Sequence, residues 1–134
     1  MNTRLLEDKN LQATVNLPAA GASAITPSLD TATETPGRIE NVELRVQLPA
    51  TPALTEAKDI TLTVKDSADD ITFAAVAEIP ATTVTGAAAA AGGSAVDLRY
   101  KLPIGLRRYV RLDADVEADG GANTDVSATI GFVF

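Results

Sequence analysis

The chain reads as an all-β protein, an antiparallel two-sheet sandwich of seven to eight strands. Three observations predict this. Apolar and polar residues alternate with a period of two in five separate stretches, turn-forming residues lie between the stretches, and the prolines fall almost entirely outside them. A period of two sends successive side chains to opposite faces, so each stretch has one face for a core and one for water.

Leu11, Ala13, Val15 and Leu17 alternate with Gln12, Thr14 and Asn16, a strand that Pro18 closes. Residues 19–37 are small, polar and punctuated by proline, which predicts an extended loop with one short strand near Leu29–Thr33. Val42, Leu44, Val46 and Leu48 alternate with Glu43, Arg45 and Gln47, and Ile60, Leu62 and Val64 alternate with Thr61, Thr63 and Lys65. Ile71 to Ile79 is apolar on both parities, as expected of a strand covered on both faces. Gly86 to Gly93 holds five alanines, too few to offset helix nucleation, and predicts a long loop. Val96, Leu98, Tyr100 and Leu102 alternate with Asp97, Arg99 and Lys101. Val110, Leu112, Ala114 and Val116 alternate with Arg111, Asp113, Asp115 and Glu117. Val126, Ala128, Ile130, Phe132 and Phe134 form the last inward set. Asp66–Asp70 and Asp119–Asn123 carry hairpin-turn chemistry. The predicted common core is Val42, Leu44, Ile60, Leu62, Leu98, Tyr100, Leu112, Val116, Ile130 and Phe132.

A length of 134 residues suits one domain over 1–134, with residues 1–10 as an extended amino-terminal arm. Hydrophobic residues make up 46%, but 24 are alanine and only five are aromatic, so the core buries little area per residue. Such a domain gains stability from a partner that covers more of it. The net charge of −7 opposes binding to nucleic acid and to anionic membrane surfaces. The first residues show no secretory signal pattern, and no stretch approaches the roughly 20 apolar residues of a membrane span. Without cysteine there is no disulfide framework.

Catalytic chemistry has little to work with. Histidine and cysteine are absent, which removes the commonest general base, the thiolate nucleophile and the usual transition-metal ligands. None of the five serines lies in a nucleophile elbow, and the Gly-rich stretches lack a P-loop lysine. A carboxylate pair could hydrolyse glycosides, but few aromatics are left for a sugar cleft. The expectation is no enzyme, no cofactor and no metal. Asp113, Asp115, Glu117, Asp119 and Asp125 invite a calcium reading, yet Ala118 and the missing closing glutamate break the EF-hand pattern. Their outward parity predicts a solvated acidic face instead.

Arg99, Lys101, Arg107, Arg108 and Arg111 place positive charge just upstream, where cross-strand ion pairs are the simplest expectation. Arg107 and Arg108, at a strand entry after Pro103-Ile-Gly, are the better candidates for partner contact. Arg4, Leu5, Leu6 and Leu11 are the others, because leucines in an arm without its own core can anchor on a neighbouring subunit.

The run Leu102-Pro-Ile-Gly-Leu-Arg-Arg-Tyr-Val-Arg-Leu112, followed by a strand, a Gly-rich turn and a final apolar strand, resembles tailed-phage capsid cement (decoration) proteins. Ile79-Pro80 before an alanine-glycine loop, Leu5-Leu6-Glu-Asp and the alanine-rich composition are similar too. The resemblance covers the carboxyl-terminal half; the first half shares only style. It implies a jelly-roll-like sandwich bound across major capsid protein subunits on the outside of a phage head, stabilising the expanded shell. It also implies self-association as a dimer or trimer, and a virion location after synthesis in the host cytoplasm. A tail or baseplate β-sandwich is the alternative of the same build, and a carbohydrate-binding module the alternative of another class.

Overall fold

The computed structural model describes residues 7–134, with side chains from Leu11 onward. Ten strand segments form two antiparallel sheets. They are β1 (Glu7–Asn16), β2 (Ser23–Ile25), β3 (Leu29–Asp30), β4 (Glu43–Leu48), β5 (Asp59–Ser67), β6 (Ala74–Ala75), β7 (Thr82–Thr85), β8 (Val96–Lys101), β9 (Tyr109–Val116) and β10 (Ser127–Val133). The first sheet runs β1-β10-β4-β8. In the second, β9 and β5 pair centrally, β2 and β3 pair the free side of β9, and β6 and β7 pair the free side of β5.

Each broken outer position of the second sheet is one strand interrupted. Between β2 and β3 lies Pro27, which has no N–H to give a ladder. Thr26 keeps the two halves in line: its N–H donates to the Leu112 carbonyl, and its hydroxyl accepts from the Leu112 N–H. Counted by position, eight strands remain, and their pairing is nested. β5 pairs β6/β7, β4 pairs β8, β2/β3 pairs β9, and β1 pairs β10. A chain folded back once and then wound so that its nested pairs alternate between two sheets is a jelly roll.

The alternation does what period two requires. In β4 and β5 the even-numbered apolar residues from Leu44 to Val64 are buried and their odd neighbours half-exposed. Leu44, Ile60, Leu112, Ala114, Ala128 and Ile130 are inaccessible to solvent and belong to one cluster. Eight of the ten predicted core residues lie in that cluster; Tyr100 packs against it, and Leu98, on an outer strand, is half-buried.

Three sequence expectations need correction, and one further strand carried no expectation. Ile71–Ile79 is not a strand covered on both faces: only Ala74–Ala75 pairs, both exposed, and Ile71 is 81% exposed. Val76 and Ile79 are buried from a turn instead, the Ile79 N–H closing on the Val76 carbonyl. The loop 19–37 contains β2, whose three residues, Ser23, Ala24 and Ile25, are too few to show an alternation. Thr82–Thr85 is a strand that alternation on threonine does not advertise. Asp119–Asn123 joins β9 to β10 in the other sheet, so it is a crossover rather than a hairpin. The Gly120 carbonyl there accepts from the Thr55 N–H and from Asn123 Nδ2, fixing the crossing.

Two turns show how the strands reverse. At Ala88–Ala91 both central alanines have positive φ, the signature of the tight hairpin turn whose twist suits flanking strands. After β5, Asp69 Oδ1 accepts from the Ile71 and Thr72 N–H groups and the Ser67 hydroxyl, at 3.0, 3.0 and 2.8 Å. These bonds, Thr72 and Ile71 foremost, lower the Asp69 pKa from 3.8 to about 2.

Two outcomes follow from these environments. Leu112→Ala should cost about 2–5 kcal/mol in urea denaturation, whereas Ile71→Ala should stay within about 0.5 kcal/mol. Because the folded-state pKa of Asp69 lies below its ordinary value, its contribution is complete above pH 4 and is lost as pH falls toward about 2. Asp69→Asn should therefore show a shallower fall in stability across that interval than the parent chain.

Candidate protein-binding surface

Beyond β8 the chain turns at Pro103–Leu106, the Leu106 N–H donating to the Pro103 carbonyl at 3.1 Å. Leu102 and Leu106 are buried and anchor the turn at each side. Ile104 sits between them at 79% exposure. Facing it is a 3-10 turn over Pro36–Arg38, where Pro36 supplies a fixed φ at the first position. A Cβ at Gly37 would collide with the Pro103 carbonyl oxygen and lie 2.8 Å from the Ile104 Cα, so only glycine permits this backbone contact.

Between the two turns runs an open groove of about 1090 Å³. Its apolar lining comes from Ile39, Val42, Tyr100, Leu102, Pro103 and Ile104, and its charged rim from Arg38, Glu40, Glu43, Glu78 and Lys101. Ile39 is 45% exposed. Apolar side chains in a concave site ringed by both signs of charge suit contact with another protein.

The arginines singled out from the sequence lie just beyond this turn, but their guanidinium groups are engaged within the domain. Arg107 binds the Asp66 carboxylate through Nε and Nη2 at 3.0 and 2.8 Å and the Asp66 carbonyl through Nη2 at 2.7 Å; its N–H donates to Asp66 Oδ2. Asp66 is buried, so this pair ties the end of β5 to the entry of β9. Arg108 binds Asp30 through two contacts at 2.8 and 3.1 Å and lies over the Tyr109 ring. The Arg108 hydrogen bond, with the Ala32 N–H, holds the Asp30 carboxyl below its ordinary pKa, and Asp30 raises that of Arg108 in turn.

Leu11 is half-buried and packs against the core from β1, so part of it serves the domain itself. Arg4, Leu5 and Leu6 lie outside the described residues. Strand β1 starts at Glu7, opposite Val133, within the stretch 1–10 that the sequence reading gave to an arm.

The acidic run divides. Glu117, Asp119 and Asp125 are exposed, as their parity predicts. Asp113, however, is buried between Lys65 and Arg111, at 2.8 and 2.9 Å. Arg111 also covers the Phe73 ring, 4.1 Å from its centroid. Lys65 and Arg111 are direct cross-strand neighbours, and Asp113 separates their like charges. Among the described residues no three or more acidic side chains stand close enough to share a metal ion. No described helix is long and apolar enough to cross a membrane.

Sequence reasoning by strand parity missed the groove because Ile39 and Ile104 lie in turns. An apolar residue flanked by proline and glycine, as in Pro103-Ile104-Gly105, was the available signal. Compared with protein-family models and with the curated proteins, the chain matches none.

The two arginines should behave differently when removed. Arg107→Ala leaves the buried Asp66 carboxylate short of partners and should cost about 1–3 kcal/mol in chemical denaturation. Arg108→Ala, which breaks an exposed pair, should cost clearly less.

Proposed function

We propose that this domain is a non-catalytic structural protein that binds a protein surface, of the capsid cement kind, with major capsid protein as its partner. The observation that carries the reading is the groove between the turns 36–39 and 103–106. It exposes Ile104 and Ile39 on backbone anchored by the Gly37–Pro103 contact and by the buried Leu102 and Leu106. An anchored apolar site loses less conformational entropy on binding than a free loop, and burying one isoleucine contributes about 1.5–3 kcal/mol. The resemblance to phage decoration proteins supports the same reading, since Leu102, Pro103 and Ile104 open the resembling run and line the groove. Jelly-roll topology agrees with it, although that fold serves many functions.

The amino-terminal residues Arg4, Leu5 and Leu6 belong to this proposal as a second anchor. Since Glu7 pairs with Val133, a truncation that keeps the described sheet whole removes residues 1–6.

The test is co-sedimentation with expanded empty heads, followed by negative-stain imaging. The parent chain should decorate the heads. Ile104→Asp should lose most of that retention with an unchanged Tm, and removal of residues 1–6 should weaken it. No retention of the parent chain on heads would refute the capsid reading. Full retention by Ile104→Asp would remove the groove from it.

A further inference from the structure

The outer strands of the two sheets are not equally protected. On the first sheet, β1 carries a register shift between Glu7 and Gln12. On the second, the outer positions are split into segments of three and two residues on one side and two and four on the other. Splits, bulges, short length and charged side chains are the usual means by which proteins blunt an open edge. Of these β8 has only the charges of Asp97, Arg99 and Lys101. Its six residues pair β4 in one unbroken register from Val96↔Leu48 to Lys101↔Glu43, and its other side pairs with no described strand.

The residues of β8 are also unfinished on both faces. Val96, Leu98 and Tyr100, of inward parity, remain half-exposed. On the outer face Arg45 reaches diagonally to Asp97, with contacts of 2.9 and 2.8 Å. The Arg45 hydrogen bond foremost, with the charge of Arg99 contributing, holds Asp97 below its ordinary pKa. Arg99 stands directly opposite Arg45 and makes no hydrogen bond or ion pair among the described residues. A cation placed across from another cation is unfavourable unless a carboxylate joins them.

We infer that β8 pairs with β8 of a second copy of this chain, antiparallel about a two-fold axis at Leu98, to make one continuous eight-stranded sheet. In that register Leu98 meets Leu98, Val96 meets Tyr100, and Asp97 meets Arg99 of the second copy, twice by symmetry. The charges are self-complementary, as an isologous interface requires. Arg45 occupies one side of Asp97, and a carboxylate has further lone pairs for the Arg99 that arrives from the second copy. Lys101 meets Ala95 and so opposes no like charge. The inference does not depend on which protein the groove takes, although Tyr100 and Lys101 at the end of β8 also line the groove.

Sedimentation velocity over a concentration series up to about 0.1 mM, where interfaces of a single strand pair are measurable, tests it. The parent chain should form dimers and no larger species. Arg99→Asp places carboxylate against carboxylate, and Asp97→Arg places cation against cation; each alone should weaken dimerisation at least about tenfold. Circular dichroism should show both still folded as β-protein. Mixed in equal amounts, the two variants should form a heterodimer. One native pair of Asp97 with Arg99 is then kept, and at the symmetry-related position the introduced guanidinium meets the introduced carboxylate. A monomeric parent chain would overturn the inference. So would a dimer indifferent to both substitutions, or two folded variants that fail to associate when mixed.

Discussion

The bonds that close the chain after β5 set the terms for everything wound around them. Asp69 gathers two backbone N–H groups and the Ser67 hydroxyl, and next to it Asp66 holds Arg107 at the mouth of β9. This is the innermost of four nested pairs, and the shortest loop to close carries the smallest entropic cost. Each later pair lies outside the one before it. A slip of one residue at this reversal would carry β6 and β7 out of register with β5 and turn the buried Val84 outward.

Acidic side chains serve two purposes here, and the difference lies in their surroundings rather than in their parity. Asp66 and Asp113 are buried with cationic partners and join strands. Asp119 and Asp125 remain in water, and the exposed Glu117 accepts from the Asp59 N–H and pairs with Lys58. The net charge is therefore a poor guide to which carboxylates matter for the fold.

Much of this was legible in the sequence. The strands β4, β5, β8, β9 and β10 follow from alternation, because a two-faced strand between core and water writes its period into the residue types. β1 followed for the same reason from Leu11 onward. Where a segment has no two-faced environment, the pattern failed. Ile71, Val76 and Ile79 sit in turns, so their apolar character predicted a strand that tertiary packing does not build. β2 and β7 are outer segments of small and hydroxylated residues that take their conformation from β9 and β5. The groove depends on Gly37 lying against Pro103, a contact between distant parts of the chain that no local pattern encodes. Similarly, Arg107 and Arg108 were recognisable as a charged pair, while their partners Asp66 and Asp30 were not.

Nested pairing also imposes an order in time. β1 leaves the ribosome long before its partner β10, with every other described strand between them. Until β10 is complete, the first sheet lacks its second strand, and Leu44 and Val46 on β4 have no neighbour on that side. Pairing between segments so distant is slow and leaves strand edges open in the interval. Tethered to the ribosome, the nascent chain must hold these apolar strands unpaired, so its exposure to aggregation and its need for chaperones are greatest just before β10 emerges.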